Sequence, residues 1–319
     1  MNRIAFIYYI IFYSSILLAN SVSYTNLIQT YDKMRAEMVI INLPDKNDIN
    51  ILQMCNKLAD AKVSLTDAQS AYLVYRWIQK NIVYDENQND EKVVNVYNFG
   101  KANSAGISAL FNLFCSYVKI QSGSISGYLK IETNNYEDMI SNIPFTWNYI
   151  VIGDSYYPVD ATLSRGNFER GEFWEDYNDI YFGTKPEMFI FTHYPHDSQW
   201  QLLSTPYTFE RFDSLPLTKN YFYYYGFLSF SPEYKEITGN GEIIITLTHD
   251  QSIKELYPSN YKISKSGETI IDLWTEVKIS NGKFEYILDK DNEQIEYFVI
   301  TSAYTSYSSD RDILVYKLN

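Results

Sequence analysis

The feature that most restricts this chain is a change of hydrophobic period partway along it. Ala68, Ala71, Tyr72, Tyr75, Ile78 and Ile82 fall at helical spacing, and so do Ile107, Leu110, Phe111, Phe114 and Val118. Each set forms one apolar stripe on a helix, the kind that packs against a core. After Ile125 the period becomes two. Ile125 to Ile131, Trp147 to Ile152 and Tyr156 to Asp160 read as strands, the last two joined by a turn at Gly153-Asp154. Helices followed by paired strands point to an α+β fold.

Local signals sharpen the boundaries. Thr66 is placed to cap the first helix, Gln69 completes a capping box, and Arg76 and Lys80 suit the last turns. Residues 25–64 read as helix broken by loops, with an interruption at Leu43-Pro44-Asp45. Glu86 to Lys92 reads as a loop, and Gly100 precedes the second helix. Residues 164–203, rich in aromatics, Gly and Pro, read as an ordered excursion over the core.

The C-terminal part has no helical pattern. Residues 242–248, 269–279, 283–288, 295–301 and 312–317 read as strands, with turn signals at Gly239-Asn240-Gly241 and Asn281-Gly282. Short strands at this spacing predict an immunoglobulin-like β-sandwich over 226–319. The join is set near Tyr225-Gly226. The aromatic run from Tyr221 to Tyr225 beside it reads as packing between domains.

The first residues bear on the compartment. Arg3 is followed by an apolar run from Ile4 to Leu18, and Ala19-Asn20-Ser21 supplies small residues, the layout of a signal peptide over 1–21. The expected product is secreted or held at the cell surface or in the secretory lumen, with no membrane insertion after cleavage. Two cysteines, Cys55 and Cys115, allow a single disulfide, but both sit in apolar surroundings that suit a free thiol equally. The formal net charge of −13 argues against nucleic acid as a partner, because such binders concentrate Lys and Arg.

Five stretches, in order, carry a resemblance. Tyr75-Arg76-Trp77-Ile78-Gln79-Lys80-Asn81-Ile82-Val83-Tyr84-Asp85 is similar to an entry helix ending in WI…NI.YD. Ser104-Ala105-Gly106-Ile107-Ser108-Ala109-Leu110-Phe111 stands where C.GYA.LF is usual, and Phe145-Thr146-Trp147-Asn148-Tyr149-Ile150 where HAWN.V is usual. Tyr157-Pro158-Val159-Asp160-Ala161-Thr162 is similar to W.LVD.TW. Thr192-His193-Tyr194-Pro195, followed by Trp200-Gln201-Leu202-Leu203, resembles TH.P…WQLL. Together they resemble the transglutaminase-like superfamily, with its papain-like core, and in particular its kyphoscoliosis-peptidase-like branch. The resemblance covers residues 65–225 within a domain spanning 22–225.

That resemblance implies thiol chemistry: a Cys at a helix N-terminus, a His to take its proton and an acid to orient the imidazole. Here the matching positions hold Ser104, Phe145 and Asp160, so only the acid remains. Asp160 is then expected to lack an imidazole partner and to hydrogen-bond within its hairpin, and Ser104 to act as a helix cap. The expectation is a catalytically inactive domain needing no cofactor, binding a protein partner through a retained cleft lined by Ser104, Trp147, Asn148 and Asp160. Two alternatives stand beside it. Ser104 could work with a base from elsewhere, such as His193, or the chain could be a structural or adhesive surface protein. The His193/His196 spacing hints at a metal, but no third ligand is evident, so no metal is expected.

Overall fold

The computed structural model describes residues 33–90, 92–133, 140, 144–169, 171–219, 221–222, 227–238, 242–249, 257–264, 269–271, 276–289, 295–303 and 311–318. The signal segment, the Tyr223–Tyr225 part of the aromatic run and the Gly239-Asn240-Gly241 turn lie outside these residues. Among the described residues, no helix is long and apolar enough to cross a membrane. The chain divides into two compact units, residues 1–129 with 141–207, and residues 130–140 with 208–319.

Among the described residues, the first unit begins with helices α1 (Lys33–Ile41), α2 (Ile51–Lys62) and α3 (Asp67–Asn81). The capping box expected for α3 is present: Gln69 N–H donates to Thr66 Oγ1, and Thr66 N–H to Gln69 Oε1. Asn50 and Gln53 form a second such box on α2, satisfying backbone N–H groups that a helix start leaves open. Strand β1 (Val83–Tyr84) and helix α4 (Val93–Phe99) follow, then β2 (Lys101–Ala102), which pairs in parallel with β1, and α5 (Ser104–Tyr117). Gly100 ends α4 at φ +67°, a left-handed position that favours glycine.

The sheet is built from β3 (Gln121–Leu129), β4 (Phe145–Ile152) and β5 (Ser155–Val159), continued after the hairpin β6 (Gly166–Glu169)–β7 (Glu172–Glu175) and the short α6 (Pro186–Phe189) by β8 (His193–Pro195). Its antiparallel order is β5-β4-β3-β8. Gly153 takes φ +61° at the turn between β4 and β5, where the sequence places it. The helical stripes meet this sheet in one core that includes Ala71, Ile78, Leu110, Phe114, Ile150 and Val159, all buried. Trp77 anchors it. Its ring stacks on Tyr97 at 5.7 Å, meets Phe114 edge-on at 5.2 Å, and its indole N–H donates to Pro44 O. Cys55 and Cys115 are both free and buried. Burial pushes the Cys55 thiol up to about 11 and raises Cys115 as well, so both are inert at neutral pH.

The second unit holds α7 (Phe209–Asp213) and strands β9 (Leu217–Thr218), β10 (Phe227–Ser231), β11 (Glu236–Ile237), β12 (Glu242–His249), β13 (Tyr257–Ser264), β14 (Thr269–Ile271), β15 (Glu276–Ser280), β16 (Lys283–Asp289), β17 (Ile295–Ala303) and β18 (Arg311–Leu318). Two sheets form, β10-β12-β16-β15 and β11-β18-β17-β13-β14. They face one another where Tyr286 of β16 meets Phe298 of β17 edge-on at 6.3 Å, the packing of a sandwich. This unit begins earlier than the sequence join at 225. Leu217 and Thr218 pair with Val315 and Leu314 of β18, and Lys235 N–H donates to Ser214 O. The single strand read over 269–279 is two strands in different sheets: β14 pairs with β13, and β15 with β16.

Candidate functional site

The site forms where the start of α5 meets the start of β4. Asn103 is the N-cap of α5, its side chain accepting from Gly106 N–H at 2.9 Å. Ser104, expected as the cap, is instead the first residue of the helix. That places its hydroxyl at the positive end of the helix dipole, where a thiolate would be favoured. The N–H of Thr146 donates to Ser104 Oγ at 3.1 Å. Residue 104 thus touches the backbone immediately after Phe145, and the two positions that the sequence comparison pairs are neighbours in space.

Phe145 does not stand free in that corner. Its ring lies 6.2 Å from Tyr84 of β1 and 6.4 Å from Phe168 of β6. Phe173 of β7 completes the cluster, 4.9 Å from Tyr84 and 5.4 Å from Phe168. Phe145 is 2% exposed. Burial, and secondarily the nearby Glu86, Asp160 and Asp85 carboxyls, raise the Tyr84 phenol above its usual range, so it stays protonated and supplies no base.

Asp160 corrects one expectation. It has an imidazole partner: Asp160 Oδ2 lies 3.0 Å from His193 Nε2, with both side chains fully buried. Oδ1 accepts from the backbone N–H groups of Thr162 at 2.7 Å and Leu163 at 2.9 Å. His193 arrives on β8, whose pairing of His193 with Leu129 brings that strand to the edge of the sheet. The imidazole stacks on Phe189 at 3.8 Å and meets Trp147 and Tyr181 edge-on at 5.0 and 5.2 Å. Its Nδ1 lies 2.8 Å from Thr192 Oγ1. A neutral ring protonated on Nε2 satisfies both contacts, donating to Asp160 and accepting from Thr192. Both nitrogens are therefore engaged away from Ser104. Among the described residues, the one hydrogen bond of the Ser104 hydroxyl is that from Thr146.

Burial holds the His193 pKa below its ordinary value, with the Asp160 contact opposing the shift. The unfolded imidazole titrates near ~6.5. Below that pH the unfolded chain binds a proton that the folded chain still refuses, so stability falls as pH drops, by up to about 1.4 kcal/mol per pH unit for this one group. Urea unfolding of the wild type and of His193→Gln at pH 7.5 and 5.5 tests this. The wild type is expected to lose more between the two pH values, and equal losses would refute it.

The four residues read as cleft-lining are all closed to solvent: Ser104 is 4% exposed, Trp147 1%, Asn148 1% and Asp160 0%. They also face different ways. Asn148 Nδ2 donates to Ser108 Oγ at 2.8 Å and Asn112 Oδ1 at 3.1 Å, fastening β4 to α5. Trp147, one residue away, points to Phe189 and His193. Alternation along a strand separates the two. Trp147 Nε1 is buried and has no hydrogen-bond partner among the described residues. His196 packs edge-on against Tyr128 at 5.0 Å. Among the described residues, no group of three or more His, Cys, Asp or Glu is placed to hold a metal ion. The aromatic cover of Tyr84, Phe168 and Phe173 was not foreseen from the sequence, although Phe168 and Phe173 flank a Gly-containing turn.

The family model of the transglutaminase-like superfamily matches residues 56–161, which include Ser104, Phe145 and Asp160. Kyphoscoliosis peptidase of Mus musculus is 29% identical over 192 residues, 57% of this chain and 29% of that protein. Hillarin of Drosophila melanogaster is 25% identical over 231 residues, 64% of this chain and 28% of that protein. Lim and transglutaminase domain protein ltd-1 of Caenorhabditis elegans is 27% identical over 207 residues, 57% of this chain and 28% of that protein. The match thus spans under a third of the length of these curated relatives. Residues 56–161 of the first unit thus match the transglutaminase-like superfamily, and through that part the chain is similar to kyphoscoliosis peptidase.

Proposed function

We propose that this chain is a secreted transglutaminase-like protein that performs no acyl transfer or peptide cleavage and acts by binding a protein partner. The observation that carries this reading is the state of the Ser104 hydroxyl. It is buried, it accepts from a backbone N–H, and it has no side-chain base as a hydrogen-bond partner among the described residues. A serine hydroxyl at neutral pH is a weak nucleophile without such a base. His193, the rescuer considered from the sequence, is engaged by Asp160 and Thr192. Phe145 offers a benzene ring where the family pattern has an imidazole.

The test is direct. Purified protein of residues 22–319 is given a glutamine-donor peptide with a labelled amine and, separately, a quenched peptide substrate. The wild type and Ser104→Ala are both expected to stay at background. Turnover by the wild type that disappears in Ser104→Ala would overturn the reading. The binding half is checked by pull-down with the same protein, which is expected to retain a saturable protein partner.

A further inference from the structure

The hairpin β6–β7 has two unlike faces. The inward face carries Phe168 and Phe173, paired in register and packed with Tyr84 beside Phe145. The opposite face follows by alternation. It carries exposed Trp174 opposite the buried Asn167, and exposed Glu172 opposite the half-buried Glu169. Trp174 is 56% exposed, a large aromatic left in water. Two carboxylates directly across a strand pair repel one another. Among the described residues, neither Glu169 nor Glu172 has an ion-pair partner. By contrast Glu175, on the other face, is held by Arg165.

We infer that this outer face is a docking site for an arginine- or lysine-bearing extended segment of a protein partner, with a cationic side chain over the Trp174 ring between the Glu169 and Glu172 carboxylates. Trp is the strongest cation–π acceptor, and a guanidinium both stacks on its ring and pairs with carboxylates. A cation there relieves the repulsion across the strand pair. The formal charge of −13 draws such a segment from a distance. The inference rests on the protein-binding reading above and names the chemistry of the partner. Because the inner face of the same hairpin packs beside Phe145, the hairpin stands on the corner where the catalytic imidazole would have been.

The test uses a fluorescein-labelled peptide of alternating Arg and Gly, and the same peptide with Glu for Arg, titrated with the whole chain. The Arg peptide is expected to bind and the Glu peptide not to. Trp174→Ala is expected to weaken binding about threefold, and its combination with Glu169→Gln and Glu172→Gln about tenfold. Asp154→Asn, which removes a charge from the exposed β4–β5 turn, is the control for general attraction and should leave the affinity unchanged. Equal weakening by Asp154→Asn, or none by the hairpin variants, would overturn the inference. So would a dimer of this chain that dissociates in Trp174→Ala, since the face would then be covered by a second copy. The acyl-transfer assay is separate: activity there would defeat the inert reading while leaving peptide binding to be judged by these variants.

Discussion

Asp160→Ala is expected to lose about 4 kcal/mol of folding stability, measured by urea unfolding at pH 7. The carboxylate is fully buried and serves three donors: two backbone N–H groups, of Thr162 and Leu163, and the His193 ring. Truncation strands all three away from water, and each unsatisfied buried donor costs about 1–3 kcal/mol. Asp160→Asn keeps the size and one acceptor oxygen, so it is expected to lose about half as much. A residue serving only as a catalytic orienter would leave stability nearly unchanged when removed, so a loss under 1 kcal/mol in Asp160→Ala would refute the structural role.

Phe145→Ala is expected to lose about 3–4 kcal/mol, the usual range for emptying a buried phenylalanine site. The ring touches Tyr84 and Phe168, and through them Phe173, so the cavity opens within a cluster fixed from three elements. Phe145→Leu, which refills much of the volume, is expected to lose about 1.5 kcal/mol or less. The same unfolding measurement ranks the two. An order reversed, or an alanine variant as stable as the wild type, would show that the ring is not packed as described.

Much of the first unit was legible in the sequence because its signals are local. Thr66 with Gln69, the two apolar stripes and Gly153 at its turn act within a few residues, and each element formed where they place it. Helix α4 escaped because it has seven residues and no side-chain cap at Lys92. Strand β8 escaped because three residues show no period. In the second unit Pro258 and Asn260 interrupt the β13 pattern, and proline in a strand argues against one on sequence grounds. At the site, the Thr146 N–H bond to Ser104 Oγ sets residue 104 beside the backbone next to Phe145. What could not be read was the partner of Asp160. His193 lies 33 residues further on, and only the pairing of β8 with β3 brings it back.

The bond between Asp160 and His193 also bears on whether the chemistry could return. Asp160, which matches the family pattern's orienting acid, helps hold this fold together. Placing Cys at 104 and His at 145 would leave that acid occupied, and freeing it would destabilise the chain. A thiolate and an imidazole at those two positions would therefore lack a free orienting acid unless the structural duty of His193 were also replaced.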